Sequence, residues 1–408
     1  MSGNLVATQP GAVGSSQQWN RATALLAGSA ILVAGFDLRI RFSVSAALIL
    51  AVALSPVWIS EIRRYWGARL ILSLVPICLI WGLVLSALAT DRAFDPDLAL
   101  KVTGLVLSGI AVLMLILWGR AHLPNHVVVG LFGVGGVLGA FAQGHTNWKF
   151  DLALPVTFVV LGLVERPGRR YGPAAAVLAI GVFSAFNEGR SLFGFCAVAA
   201  LLTLWQARPG AAQRVRVWKM LLAIAAVSVG IYLGASQLLS QGAFGTELQT
   251  RTNQQTEVTG NLILGGRPEW AATVGLVSNR PQGYGLGITS DWRDLVEARE
   301  GFAAIRFEPG GYASHYMFAE GFALHSVIAD LWISFGFAGV ALAMAMVVVI
   351  LNGVLKRLAI SEAPTSVLFA ASLALWYLLF GPIFTDWTNV CAAVGLVAIQ
   401  IPRRSEST

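Results

Sequence analysis

Charge is what this chain has least of. Of its 408 residues only 12% are Asp, Glu, Lys or Arg, and 56% are hydrophobic; ordinary soluble domains carry about 25% charged residues. Too little polar surface remains to clothe a soluble globule of this size. Cysteine is scarce as well. Cys78, Cys196 and Cys391 all lie inside apolar runs, with no CxxC spacing and no histidine partners. That excludes a disulfide framework or a thiolate metal centre and leaves three small core residues. No glycine-rich phosphate loop follows a strand, so ATP-driven transport has no nucleotide fold to draw on. Gly133-Val134-Gly135-Gly136 falls within an apolar run, where glycine serves close helix packing. No Asp-x-Asp pair or His/Asp cluster is read as a metal site, and no metal or cofactor is expected. The first twenty residues lack the charged start and apolar core of a cleaved signal peptide. They read as a disordered tail, with the first helix as the targeting signal.

What the chain does have is apolar runs of membrane-spanning length. They fall at about 22–36, 42–60, 68–89, 98–118, 125–143, 150–164, 173–187, 191–206, 218–239, 325–350, 365–383 and 387–401. Several are short for a bilayer core of about 30 Å, which takes about 20 helical residues, so the expectation is an all-α integral membrane protein of ten to twelve transmembrane helices. The net charge of +7 invites a nucleic-acid reading, but the basic residues stand in small groups between apolar runs, as juxtamembrane Lys and Arg do.

Charge placement also orients the chain. Alternating from a cytoplasmic N-terminus puts 16 of the 28 Lys and Arg on the inner side, among them Arg63, Arg64, Arg120, Arg170, Lys356 and Arg357. The short outer loops receive only Arg39, Arg41, Arg92, Lys101, Lys149 and Arg190. By the positive-inside rule both termini are then cytoplasmic and segment 240–324 faces outward. The expected organisation is a tail over 1–21, helices over 22–239, a large outer loop over 240–324, helices over 325–401 and a short tail over 402–408.

The loop opens with a polar, irregular stretch from Gln249 to Gly260. In Gly265-Gly266-Arg267-Pro268-Glu269-Trp270 a proline at the first helical position, followed by Trp270, Val274 and Val277 at helical spacing, predicts a short amphipathic helix ended by Asn279 and Pro281. Gly283, Gly285 and Gly287 alternate in the next stretch and permit close backbone approach to another surface or a ligand. A second short helix is predicted from Asp291 to Arg299, capped by Ser290. His315 and His325 flank Glu320 at the loop's exit.

Three segments, in this order and on one face, resemble the O-antigen ligase superfamily of membrane glycosyltransferases. They are Asn187-Glu188-Gly189-Arg190-Ser191, then Gly266-Arg267-Pro268-Glu269-Trp270 with Pro281 and the alternating glycines, then His325-Ser326 leading into a helix with Gly336 and Gly339. The motifs cover about a tenth of the chain, and the hydropathy layout extends the likeness across most of it. The tryptophan after Arg267 falls one position early, Ser326 stands where Asn is commoner, and Ser334 stands where the family often has Glu. The resemblance implies the C-type glycosyltransferase architecture, with a multi-pass protein in a bacterial inner membrane and its active site on the periplasmic face.

The implied reaction moves a glycan from an undecaprenyl-diphosphate carrier to an acceptor hydroxyl, without a metal and with inversion at the anomeric carbon. The acceptor is lipid A–core or another terminal acceptor for a ligase, or a second carrier-linked glycan for an O-antigen or exopolysaccharide polymerase. By the same resemblance Arg190 and Arg267 clamp the diphosphate; His325, at the membrane boundary, is the candidate general base, with His315 or Glu320 able to take its place. His315, Glu320, Gly285 and Gly287 are the further substrate-binding candidates. Guanidinium groups suit diphosphate because they stay cationic and bind oxygens bidentately, and histidine titrates near neutrality. Each assignment has a plainer counterpart. Arg190 reads equally as a snorkelling interfacial residue, Arg267 as a partner of Glu269 or Glu257, and His325 as an ordinary boundary side chain. His122, His126 and His145 read as structural, and Asp330 and Asp386 as intramembrane or boundary carboxylates that pair helices or line a path. The expected partners are the lipid-linked donor, a lipid or glycan acceptor and membrane lipids, with no nucleic acid. A secondary transporter or flippase is the reading from another class, but the two halves of the chain do not look alike.

Overall fold

A computed structural model of the chain describes residues 12–166, 170–207, 267–319 and 321–401, with isolated positions between 226 and 253. The expected span 218–239 and the polar stretch Gln249 to Gly260 lie almost wholly outside the described residues, and Glu320 lies outside them too. Among the described residues the chain is helical throughout, with no strand.

The first nine helices are α1 (Ala12–Phe36), α2 (Ala46–Ala53), α3 (Ser55–Ile62), α4 (Ala68–Leu88), α5 (Pro96–His122), α6 (Asn125–Ala142), α7 (Ala153–Val164), α8 (Tyr171–Phe186) and α9 (Arg190–Gln206). The loop supplies α10 (Glu269–Asn279) and α11 (Trp292–Ala304), and the chain ends with α12 (Val327–Ala359), α13 (Thr365–Phe380) and α14 (Ile383–Val397). By length and apolarity α4, α5, α6 and α12 are long enough to cross a membrane, while α8, α9, α13, α14 and Arg21–Phe36 of α1 are shorter apolar helices.

The exterior argues for a lipid environment. Along α4, Leu70, Ile80 and Leu88 are 53%, 64% and 69% exposed, and Ile77, Trp81 and Leu83 of the same helix are exposed with them. A soluble monomer rarely shows an apolar patch of that extent. Helix α5 is the contrast, buried almost all round from Leu105 to Gly119, as expected of an apolar helix at the centre of a bundle. Asp95 starts α5: its carboxylate accepts from the Asp97 and Leu98 amides while Pro96 takes the first helical position.

The structure departs from the sequence reading at several helix boundaries. The run 42–60 is two eight-residue helices broken at Leu54, ahead of Pro56, and each is only about 12 Å long at 1.5 Å per residue. Helix α1 begins at Ala12, inside the stretch read as tail. The second loop helix reaches Ala304, and its cap is Asp291, which forms a reciprocal capping box with Asp294. Ser290 instead donates to the Phe318 and Gly321 carbonyls. In α10 the buried face is Glu269, Ala272, Thr273 and Leu276, while Val274 and Val277 are exposed. Two members of the apolar series that predicted that helix therefore point away from the protein core, while Trp270 is half-buried.

Two further features set the stage at the loop end of the bundle. Helix α12 is kinked at Gly336, whose φ of 54° and ψ of −138° belong to no helix. The loop uses the carbonyl near this break: Tyr284 N and Gly285 N both donate to Ile333 O at 2.9 Å. Backbone inserted among helices must find such partners. The second feature is Arg92, buried between loop and bundle, where it pairs with Asp291 and reaches Asp294 at 2.9 Å. At the other end of α5, Arg120 and Arg357 donate to the last carbonyls of α14, at Ala398 O from 2.8 and 3.1 Å, satisfying a helix C-terminus.

Candidate functional site

Arg267 and His325 come together around Glu269. Arg267 stands just before α10, and Glu269 is the first residue of that helix. His325 lies at the loop's exit, two residues before α12, and takes a left-handed φ of 52°. Its Nδ1 lies 4.0 Å from Glu269 Oε1, and the two side chains are only 13% and 7% exposed. Tyr312 donates its hydroxyl to the same Oε1 at 2.6 Å. Glu269 Oε2 is buried and has no hydrogen-bond partner among the described residues. The Tyr316 ring closes the group, 5.2 Å from the imidazole and stacked 5.4 Å from Tyr312.

The electrostatics follow from that packing. Burial pushes the His325 pKa below its ordinary value, the Glu269 carboxylate opposes that shift, and the Arg267 charge adds to it. Net, the imidazole is favoured in its neutral form, the form able to accept a proton. Burial beside Glu269 holds the Tyr312 hydroxyl far above the usual phenol range, so it remains a donor. Arg267 is half-buried and forms no salt bridge among the described residues. Its charge bears on both His325 and Tyr312. The plainer expectation that Arg267 is tied to Glu269 is not what the structure holds: Glu269 faces Tyr312 and His325. Glu257 lies outside the described residues.

Arg190 is the first residue of α9, half-buried. Its helix packs against the later part of α13. Phe195, five residues or about 7.5 Å along α9, sets its ring 5.9 Å from Trp376 and 6.2 Å from Tyr377. Trp270, at the start of α10, donates its indole N–H to Leu379 O at 2.7 Å. Helices α9 and α10 thus converge on the end of α13, each with an arginine at its start.

The other candidates belong elsewhere. Gly285 and Gly287 line a separate cavity with His315. Their missing side chains serve packing, since a Cβ on Gly285 would stand 2.5 Å from Ser86 N of α4 and one on Gly287 2.7 Å from the Ala99 side chain of α5. The surface these glycines approach is therefore the helix bundle. His315 is exposed, its Nδ1 2.9 Å from Gly311 O and 3.1 Å from Ser314 Oγ. Ser334, which stands where the resemblance expects Glu, lines that cavity too. Asp330 accepts from Leu324 N and Ile383 N, each at 2.9 Å, so both of its oxygens pin the loop exit and the start of α14. Asp386 lies in the first turn of α14, its carboxylate against Gly381 at the end of α13. Asp95-Pro96-Asp97 does form an Asp-x-Asp sequence, with Asp95 occupied in capping α5. Among the described residues no group of three His, Cys, Asp or Glu side chains is placed to hold a metal ion.

Glu269, Tyr312 and Tyr316 are functional candidates that the sequence alone does not single out. The available signal was Glu269 itself: a carboxylate two residues from a motif arginine, on a helix whose other face had to be buried.

No family model matches the chain, and no curated protein or solved structure matches it.

Proposed function

We propose that the protein is a membrane glycosyltransferase of O-antigen ligase type. It moves a glycan from undecaprenyl diphosphate to an acceptor hydroxyl at the periplasmic face of a bacterial inner membrane. The observation that carries this reading is the pairing of Arg267, a half-buried guanidinium without a salt bridge among the described residues, with His325, an imidazole that burial favours in its neutral form. A cation beside a neutral base is what displacement of a lipid diphosphate by a hydroxyl requires. Arg190 and Arg267 bind the diphosphate oxygens, on which negative charge develops as the anomeric C–O bond breaks. His325 accepts the acceptor's hydroxyl proton as the new C–O bond forms. Glu269, held by Tyr312, then faces the imidazolium and stabilises it, the role a third group plays behind many catalytic bases. One displacement inverts the anomeric centre, and no metal enters the sequence of steps. The finer topology belongs to the same proposal: ten to twelve spans, both termini cytoplasmic, with α10 and α11 in the periplasmic loop.

The test supplies undecaprenyl-diphosphate glycan to the purified protein in vesicles, with and without lipid A–core. Transfer only onto the core identifies a ligase, and chain extension without it identifies a polymerase. Arg267→Ala is expected to lower turnover by about 10²–10³-fold, the usual scale for removing one donor to a developing anion. His325→Ala is expected to lower it by about 10²–10⁴-fold, the range for lost general-base help. Normal consumption of carrier-linked glycan by Arg190→Ala, Arg267→Ala and His325→Ala alike would end the transferase reading.

A further inference from the structure

A second feature at the loop end of the bundle stands apart from the Arg267–His325 cluster. A cavity of about 620 Å³ opens between the α1–α2 link at Arg39 and Ser43, the first turns of α5 at Asp97 and Lys101, and the loop at Ser290. A second, of about 360 Å³, runs between α5, α12 and the start of α14. Leu98, Lys101, Ala319 and Gly321 line both, so the two share a neck. Each falls within the range of about 300–1,000 Å³ typical of small-molecule sites. The inner cavity is lined by Tyr316, whose ring lies 5.2 Å from His325. Its wall at Tyr316 therefore stands one aromatic ring from the proposed base.

The lining says what would fit. Arg39 is already committed, paired with Asp37 at 2.8 Å and donating to Phe384 O at 2.6 Å. Lys101 forms no salt bridge among the described residues, and its ammonium lies 5.3 Å from the Phe384 ring. Asp97, one turn earlier on α5, forms none either. Among the described residues Arg39 and Lys101 stand against Asp95 and Asp97 in the outer cavity, which leaves it near neutrality, unlike the approach to α13 with its two arginines. A diphosphate gains little in such a place. A polyhydroxylated molecule gains much, because sugar hydroxyls both donate and accept, and the hydroxyls of Ser43 and Ser334 and the ring of Phe384 line the walls.

We propose that these joined cavities bind the saccharide end of the acceptor and carry its reacting hydroxyl past Tyr316 to His325. This rests on the transferase reading and divides its substrates: lipid diphosphate on the α9–α10–α13 side, acceptor sugar on the α5 side. His315, Gly285 and Gly287 then belong to the acceptor's walls and not to the donor's.

The cysteine content allows a test that does not depend on turnover. Cys78, Cys196 and Cys391 are all buried, and Ala319 at the neck is exposed. Full-length protein carrying Ala319→Cys, in phosphatidylethanolamine–phosphatidylglycerol vesicles, is labelled with a membrane-impermeant maleimide. Ser278→Cys, exposed on α10, is the control. The probes are delipidated core oligosaccharide and glycan-free undecaprenyl diphosphate. The oligosaccharide is expected to slow labelling at position 319 by about tenfold at about nine times its Kd, since the free fraction is 1/(1 + [L]/Kd). It should leave position 278 unchanged, and undecaprenyl diphosphate should protect neither. In assays of transfer, Lys101→Gln is expected to raise the acceptor KM by about tenfold or more, the worth of a hydrogen bond to a charged group, with the donor KM held. Protection by undecaprenyl diphosphate alone, or by neither probe, overturns the proposal. Failure of the wild-type protein to consume carrier-linked glycan overturns the transferase reading instead, whatever the labelling shows.

Discussion

Replacing Asp330 separates a scaffold carboxylate from a chemical one. Its two oxygens accept from Leu324 N and Ile383 N at 2.9 Å each, and the residue is 3% exposed. Those two amides lie on opposite sides of His325: one immediately before it in the loop, the other at the first residue of α14. Asp330→Ala leaves both buried and unpaired. Each orphaned donor costs about 1–3 kcal/mol, so the variant should lose about 2–6 kcal/mol of stability. Asp330→Asn keeps one acceptor oxygen and should lose about half as much, while retaining transfer once folded. The assay is unfolding of the full-length protein in detergent micelles, followed in parallel with turnover at a temperature where each variant is native. If Asp330→Ala unfolds with the wild type, the bridging role is wrong. If Asp330→Asn is as stable as the wild type and still inactive, the carboxylate acts on substrate and its assignment as a pin fails.

The pH profile gives a second check. The acid limb of turnover should have its midpoint below the ordinary histidine value of about 6.5, because burial disfavours the imidazolium and a base works in its neutral form. Arg267→Gln removes a charge that pushes the pKa down, so whatever activity remains should show the limb moved to higher pH. Glu269→Gln removes the carboxylate that pushes it up, so the limb should move to lower pH as kcat falls. Shifts in the same direction for both variants would refute the arrangement. Arg92→Ala, which strands the fully buried Asp294 without its partner, should cost about 3–5 kcal/mol; limited trypsin digestion after Arg293 or Arg299 should then speed up markedly, and unchanged cleavage would show that Arg92 does not hold α11.

Much of the helical layout was legible in the sequence because long apolar runs leave a lipid-facing protein few alternatives. The boundaries of α4, α6 and α8 fall within a few residues of those runs. The failures have a common cause: averaging hydropathy over a window hides single residues that redirect the backbone. Pro56 and Leu54 split one run into α2 and α3, and Gly336 bends α12 without interrupting its apolarity. The cluster was legible only in part. Arg267 and His325 could be named from motif order, but Tyr312 and Glu269 are 43 residues apart, and only tertiary packing makes them neighbours. Gly285 and Gly287 illustrate the converse. Alternating glycine correctly announced a close approach, and nothing in the sequence could say that the approached surface was α4 and α5.

The kink at Gly336 links these observations. A φ of 54° with ψ of −138° is open to glycine and strained for any other residue. A Cβ there would also collide with the Gln282 carbonyl. Straightening α12 is no escape, because the inserted loop occupies the Ile333 carbonyl through Tyr284 N and Gly285 N, and Trp332 Nε1 donates to Pro281 O at 3.0 Å. Gly336→Ala therefore either keeps the kink under strain, at about 1–3 kcal/mol for the backbone alone, or expels the loop from between α4 and α12. Expulsion would alter the environment of Tyr284, which lies buried beside Phe322 and Trp332. Near-ultraviolet circular dichroism of Gly336→Ala against Gly336→Ala/Trp332→Phe distinguishes the two. Strain alone leaves the Trp332 signal native and lowers only the unfolding midpoint. An unaltered signal together with an unaltered midpoint would mean that the kink is not imposed by glycine, and that the loop follows the bend of α12 without causing it.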